Sequence, residues 1–463
     1  MNDKDYFFCG IGGSGMLPLA VLVKAAGGRV GGSDRALDQG RGAAKFDWLR
    51  AQGIAVFPQD GRGVVSAEQV IVASAAIEDS VPDIARAKAL DCARLTRAEL
   101  LAKLFNARTD GIAIGGTSGK STVTGMIGWI LAKTGRDPTI MNGAVMKNFV
   151  SDAIPFASAR AGSGPFVTEV DESDGSIALF RPGIAVINNI SLDHKTLDEL
   201  RALFGGFAGV AGTVVWNRDD AETASLIDGF DIADSVSFGF GEADVRAVAI
   251  DEQPVSASFT LCAADERIAV TLAVPGRHNI ANALAAIAAA RAAGVPLAEA
   301  CGAIESFTGL ARRFDVVGSA GDITVIDDFG HNPDKIAATL RTLRAFPGRI
   351  IAFFQPHGYG PLAKMGEELA ATFADELGPD DRLIVSDPAY FGGTVDRSIG
   401  SEVLTGALGE RAEHIADRAA CGERIVALAQ PGDRIVVMGA RDDTLGIFAR
   451  DILAGLAKER GAA

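Results

Sequence analysis

The chain has 463 residues, more than one core accommodates at roughly 100–200 residues per domain, so about two to four domains are expected. It is 48% hydrophobic and 22% charged, as soluble globular proteins are, and its formal charge is −15. That acidity argues against non-specific binding to nucleic acid or anionic membranes, though a site can still be locally basic. No run of about 18 apolar residues is available to span a membrane. Cys9, Cys92, Cys262, Cys301 and Cys421 lack C-x-x-C spacing. A zinc ribbon is excluded, and buried, reduced thiols in a cytoplasmic protein are expected. The N-terminal MNDKDYFFCG carries no basic, then apolar, leader.

Strand-length apolar runs alternate with helix-length amphipathic stretches. Tyr6–Cys9, Ile112–Ile114, Ile184–Ile187, Ile350–Phe354, Leu383–Val385 and Ile435–Met438 read as buried strands. The pattern predicts an α/β fold with largely parallel sheets. Val245–Val274 alternates more and reads as antiparallel strands or a hairpin. Three segments follow: residues 1–109, 110–311 and 312–463.

The first strand leads into Gly10-Ile11-Gly12-Gly13-Ser14-Gly15, a G-x-G-x-x-G turn. Such glycines let a diphosphate approach a helix N-terminus. Ser33-Asp34 lies about twenty residues on, at the offset of an acidic residue that contacts a ribose. The turn serves any nucleotide diphosphate, or none. Farther on, Ser74-Ala75 ends a strand-like run.

Ile112–Ile114 ends in Gly115-Gly116-Thr117-Ser118-Gly119-Lys120-Ser121-Thr122. Val123, Met126, Ile127, Ile130 and Leu131 then fall on one helical face. Strand, glycine loop and helix with Lys-Ser at its start make a P-loop arrangement, although the strict G-x-x-x-x-G-K spacing is absent. Backbone N–H groups would hold phosphates, Lys120 would neutralise charge, and the Ser121 hydroxyl would meet Mg²⁺. Glu169 ends the next apolar run, ahead of Asp171-Glu172-Ser173-Asp174, where a further Mg²⁺-binding oxygen belongs. Asp193-His194 ends another strand and suits a metal-positioning role.

These motifs, with Gly276-Arg277-His278-Asn279-Ile280-Ala281-Asn282-Ala283, occur in the order seen in Mur ligases, and the resemblance spans residues ~6 to ~440. The N-terminal GIGGSGM, Gly32-Ser33-Asp34, Ser74–Ile77, Arg312-Arg313-Phe314, Asp327–Pro333 and Phe354–His357 resemble the branch joining L-alanine to UDP-N-acetylmuramate. The resemblance implies three domains: a Rossmann-like UDP-binding domain, a central ATPase and a C-terminal α/β domain admitting the amine. It implies ATP and Mg²⁺ as cofactors, an acyl-phosphate intermediate, and a place in cell-wall peptidoglycan synthesis. The expected partners are UDP-N-acetylmuramate and an amino acid or short peptide, and a monomer or weak homodimer is expected.

Residue by residue, the resemblance puts Gly12, Gly13, Ser14, Gly15, Met16, Ser33, Asp34, Ser74, Ala75 and His357 on substrate. It puts Gly116 to Thr122 on the phosphates, Ser121, Glu169 and His194 on metal, and Lys120, Glu169, His194 and His331 in catalysis. Asn279 and Asn282 match positions near the adenine, with helix capping as their structural alternative. Arg313 matches an arginine facing the phosphates, and Asp328 a residue near the ribose. Asn332-Pro333-Asp334 reads as the start of a helix carrying Ile336, Leu340 and Leu343, with His331 just before it.

Two departures stand out. Ser118 occupies the place of the branch's usual histidine. After His357 the branch continues with two arginines suited to a carboxylate, whereas this chain reads Gly358-Tyr359-Gly360-Pro361. Gly and Pro cannot replace an arginine clamp. Either Arg397 or Arg441 serves instead, or the amine differs; Ala363–Gly366 is similar to the sister branch that attaches a recycled tripeptide. An NAD-dependent oxidoreductase would leave the second loop unused. A muramyl-nucleotide sensor would have little need of Lys120, Glu169 and His194 together.

Overall fold

The computed structural model describes residues 4–74, 77–192, 195–230, 232, 234–390 and 396–461. Ala75, Asp193 and His194 lie outside them. The described chain forms two compact units, one reaching to Gly309 and one made mainly of Leu310 onward.

In the first unit, the strands Ala55–Phe57, Arg29–Ser33, Asp5–Cys9, Gln69–Ala73 and Arg94–Thr96 form, in that spatial order, an all-parallel sheet. Short β-αβ connections over apolar strands favour this arrangement. A second sheet has Ile112–Gly115 at its centre, flanked by Ile184–Ile187 and Gly164–Glu169, both parallel to it. The expected hairpin is present as Ala257–Ala263 paired antiparallel with Glu266–Leu272 at the sheet's edge. Val245–Glu252 lies between this hairpin and Ser235–Gly239, and it pairs parallel with the latter.

The two sheets share one core. Phe105, fully buried, lies 5.5 Å from both the Phe166 and the Phe180 ring. Trp48 similarly meets Phe156 at 5.6 Å. This aromatic seam crosses the 109/110 junction, which is why the first two sheets belong to one unit. Hydrophobic periodicity within each segment carries no sign of it.

Helix Lys120–Lys133 buries the five predicted positions, and Ser121, Thr124, Gly125 and Gly128 as well. It is therefore enclosed nearly all round rather than on one face. Trp129 Nε1 fastens it to Ala303 O at 3.2 Å, in helix Leu297–Ile304.

The second unit has one sheet, in the order Asp315–Ala320, Ile323–Asp328, Arg434–Gly439, Ile350–Gln355, Arg382–Val385, Ala412–His414. It is parallel except for its first pair. Helix Pro333–Arg344 starts as expected: Asn332 Oδ1 accepts from Lys335 N at 3.0 Å, and Ile336, Leu340 and Leu343 are buried. All five cysteines are free, four buried and Cys92 partly so. No described helix is long and apolar enough to cross a membrane.

Candidate active site

The first glycine loop is pinned by the next strand. Gly10 N and Ile11 N donate to Ser33 O at 2.8 and 2.9 Å. Gly12 N donates to Asp34 Oδ2 at 2.8 Å, while Asp34 Oδ1 caps the short helix Arg35–Asp38 through Ala36 N. Both Asp34 oxygens are thus engaged in shaping the loop. Ser33 is fully buried and donates to Asp83. It is not placed to meet a ligand, because a strand side chain alternates faces and this one points inward. Gly13 and Ser14 are exposed, Gly15 is half-buried and Met16 is buried.

The second loop is drawn around Lys120. Gly119 has φ +84°, the left-handed conformation that favours glycine, immediately before the helix. Lys120 Nζ donates to Gly116 O at 2.6 Å and pairs with Glu172 Oε2 at 2.7 Å. Ser121 Oγ donates to Glu169 Oε2 at 2.8 Å, and Glu169 Oε1 accepts from Gly143 N. A hydroxyl and a carboxylate brought together at a helix start are hard oxygen donors suited to Mg²⁺. Burial pushes the Glu172 carboxyl above its ordinary range, and Lys120 opposes that shift. Asp171 is held below its range, against burial, by hydrogen bonds from Ser173 and by Lys120.

Sequence reasoning missed the asparagines that brace this loop. Asn189 Oδ1 accepts from Ser118 N at 2.8 Å, and Thr117 N donates to Asn189 O at 3.1 Å. Asn188 Nδ2 donates to Ser118 O at 2.9 Å and to Asn282 Oδ1 at 3.2 Å. Asn282 Nδ2 in turn donates to Asn279 Oδ1 at 3.3 Å. Asn279 and Asn282 are buried inside helix Arg277–Ala292, so neither caps it. Thr122 is half-buried in the first turn of the phosphate-loop helix. Two consecutive amides at a strand end, Asn188-Asn189, were the available signal.

In the second unit, Arg312 is committed to structure: it bonds Gly439 O at 2.6 Å and Asp442 O at 2.9 Å, and pairs with Asp327. Arg313 stacks over the Phe329 ring at 4.3 Å. Asp328 Oδ2 accepts from Phe314 N, and its Oδ1 from Gly330 N and Thr339 Oγ1, which ties the segments around it together. His331 Nδ1 lies 2.8 Å from Phe329 O. A carbonyl only accepts, so Nδ1 carries the proton and Nε2 is left as an acceptor. The His331 and His357 rings meet edge-on at 5.0 Å. Burial and nearby cations depress both, His331 to about 3 and His357 to about 4. Tyr359, after the glycine that follows His357, lies 6.2 Å from Tyr390, over which Arg397 stacks at 4.7 Å. His414 Nε2 lies 2.8 Å from Asp387 Oδ1.

Three family profiles match successive stretches of the chain. They are described as Mur ligase family, catalytic domain (residues 5–109), Mur ligase middle domain (114–290) and Mur ligase, glutamate ligase domain (312–441). The chain belongs to the Mur ligase family. It has that family's three-domain α/β fold and is an ATP-dependent, amide-forming ligase. Proteins named UDP-N-acetylmuramate–L-alanine ligase from Cereibacter sphaeroides and Dinoroseobacter shibae are both 35% identical to it. The first match covers 97% of this chain and 96% of the relative, the second 96% of each. Among solved structures, UDP-N-acetylmuramate–alanine ligase from Thermotoga maritima superposes with a TM-score of 0.81 at 24% identity, covering 99% of this chain and 100% of that one. A murein peptide ligase from Psychrobacter arcticus gives 0.72 at 23%, covering 98% and 99%. At these identities the two structures speak for the fold.

Proposed function

We propose that this Mur ligase joins L-alanine to the carboxylate of UDP-N-acetylmuramate in the cytoplasm, with ATP and Mg²⁺. The substrate assignment follows the full-length relatives bearing that activity in their names. The observation that carries the chemistry is the phosphate loop, with Lys120 at its helix start and Ser121 on Glu169 beside it. Residues 1–109 bind the UDP moiety, 110–311 the ATP, and 312–463 admit the amine.

A carboxylate oxygen attacks the γ-phosphorus and ADP leaves, giving an acyl phosphate. The amine nitrogen then attacks the acyl carbon, loses a proton, and expels inorganic phosphate. Both reacting groups of the first step are anionic, so the protein's task is mainly positioning and charge neutralisation. Lys120 leaves Glu172 for the phosphates. Ser121 and Glu169 would hold Mg²⁺, which would supply charge stabilisation on the phosphoryl oxygens; His194 is assigned to metal by motif alone. Gly116 to Thr122 wrap the phosphates, and Asn279 and Asn282 offer amide donors and acceptors to the adenine. Arg313 and Asp328 are assigned to phosphate and ribose by motif alone. Gly12 to Met16 and Asp34 form the UDP side, with Ser74 and Ala75. His331 and His357, neutral at working pH, present ring nitrogens to the amine substrate.

One observation favours a second reading, in which the amine is a recycled wall peptide. Gly358, at φ +146°, and Tyr359 stand where a carboxylate clamp was expected. Phosphate release with ATP, Mg²⁺ and UDP-N-acetylmuramate, screened over L-alanine, other amino acids and short wall peptides, separates the two. Release dependent on L-alanine supports the first reading; release only with a peptide supports the second. Tight nucleotide binding without release under any amine removes both.

A further inference from the structure

Helix Arg97–Phe105 is fixed at its start by a capping box: Thr96 Oγ1 accepts from Glu99 N at 3.1 Å, and Glu99 Oε2 accepts from Thr96 N at 2.7 Å. Arg97 is its first residue, so its backbone is well determined. Its side chain lies across the first glycine loop. A Cβ built on Gly15 would meet Arg97 Cδ at 2.9 Å and Nε at 3.3 Å. Only a residue without a side chain lets the guanidinium stem lie this close to the loop.

Arg97 is half-buried, yet among the described residues its guanidinium makes no hydrogen bond and no ion pair. Five donors without acceptors are costly where water is partly excluded. The backbone N–H groups of Ser14 and Gly15 are likewise unbonded among the described residues. Gly15 precedes helix Met16–Ala25, which has no side-chain cap and no acidic residue in its first turn. Donors from two elements therefore lie at the loop with no protein acceptor among the described residues. Asp171, an acidic group that senses Arg97, already accepts from Ser173 N at 2.9 Å and Ser173 Oγ at 2.7 Å. That carboxylate also senses Lys120, so both cations lie within electrostatic reach of it.

We propose that Arg97 binds the diphosphate of the UDP-substrate, closing over the Gly10–Gly15 loop as a guanidinium fork that complements the Ser14 and Gly15 N–H groups. This rests on the assignment of that loop to the UDP moiety. A planar fork matches two phosphoryl oxygens as a lysine cannot. The capping box and the Gly15 contact set the fork in place before substrate arrives, so little ordering is required on binding.

The test is calorimetric titration of the full-length protein with UDP and with an ATP analogue, for wild type, R97A, R97K and G15A. R97A is expected to weaken UDP about tenfold to a hundredfold, the range of a charge-assisted hydrogen bond. R97K is expected to recover part of the loss, and G15A to weaken UDP by displacing the stem. The ATP analogue is expected to bind all four alike, which also shows that the fold is intact. In turnover, KM for UDP-N-acetylmuramate rises in R97A and KM for ATP does not. UDP affinity that is absent in wild type, or equal in wild type and R97A, overturns the assignment of Arg97 and leaves phosphate release to decide the ligase reading. Wild-type protein that binds UDP through Arg97 yet releases no phosphate with UDP-N-acetylmuramate supports the binding role and defeats the ligase reading instead.

Discussion

Lys120 Nζ lies 2.7 Å from Glu172 Oε2, so the phosphate-loop cation is held by a buried carboxylate of its own chain. Two consequences follow for Lys120→Ala. Turnover of ATP coupled to ligation is expected to vanish while the fold persists. Glu172 is also left buried without its partner, which costs about 3 kcal/mol. Burial already raises the Glu172 carboxyl, and without Lys120 the folded state favours its protonated form further. A carboxyl raised by folding is harmless below its unfolded range and destabilises as pH rises through the folded value. The melting temperature of K120A should therefore fall more at pH 8 than at pH 5, and adding Glu172→Gln should remove that difference. Equal losses at both pH values, or wild-type coupled turnover in K120A, contradict this account.

The pair Ser121 and Glu169 gives a second prediction. Glu169 accepts from the Ser121 hydroxyl and from Gly143 N, so its orientation is set by two donors. Glu169→Gln is expected to raise the Mg²⁺ concentration for half-maximal phosphate release by about tenfold or more. Ser121→Ala should act in the same direction, and Ser121→Thr, which keeps a hydroxyl, should stay near wild type. A Mg²⁺ titration of phosphate release reads all three. An unshifted midpoint in E169Q would remove Glu169 from the metal.

Much of this site was legible because phosphate chemistry constrains sequence locally. A strand, a glycine loop and a Lys-Ser helix start lie within a dozen or so neighbouring positions, and hydrophobic spacing places them. Asn332-Pro333 likewise announced its helix, since capping is a property of adjacent residues. What could not be read depends on contacts between distant segments. The Phe105–Phe166 packing that joins the first two sheets links residues far apart in the chain. The Asn188–Asn282 bond does the same for the loop and its neighbouring helix. Ser33 was misplaced because strand alternation decides its face, and register was not part of the motif. The His414–Asp387 contact likewise joins two separate strand ends.

Gly12 supplies a third prediction. A Cβ there would meet Asp34 Oδ2 and the Phe46 ring at 3.0 Å, and the Gly12 N–H holds Asp34. Gly12→Val must push the loop off Asp34, an overpacking penalty of about 1–3 kcal/mol. The damage is confined to the first loop, so KM for UDP-N-acetylmuramate should rise while affinity for an ATP analogue holds. Equal loss of both ligands would mean the two glycine loops are wrongly assigned.

His331 and His357 make the second unit sensitive to acid. Burial is the largest cause of both depressions; Lys335, His357 and Arg313 add to it at His331, and Arg441 and Lys335 at His357. The unfolded chain takes up these protons near pH 6.5, whereas the folded chain resists to about 3 at His331 and about 4 at His357. A histidine depressed by folding contributes its stability above its unfolded value, and that contribution is lost as pH falls toward the folded value. Asp327, raised to about 6 by burial, acts with the opposite sign, so wild-type behaviour alone is ambiguous. Comparison with His331→Gln and His357→Gln removes the ambiguity, because Asp327 is common to all three. The fall in melting temperature between pH 7 and pH 4.5 should be smaller in each variant than in wild type. Imidazole carbon resonances of His331 and His357 should also show no titration between pH 7.5 and 5.5. Parallel melting curves, or a midpoint near 6.5 for either ring, would mean that the pair is protonated at working pH and presents charge rather than neutral nitrogens to the amine.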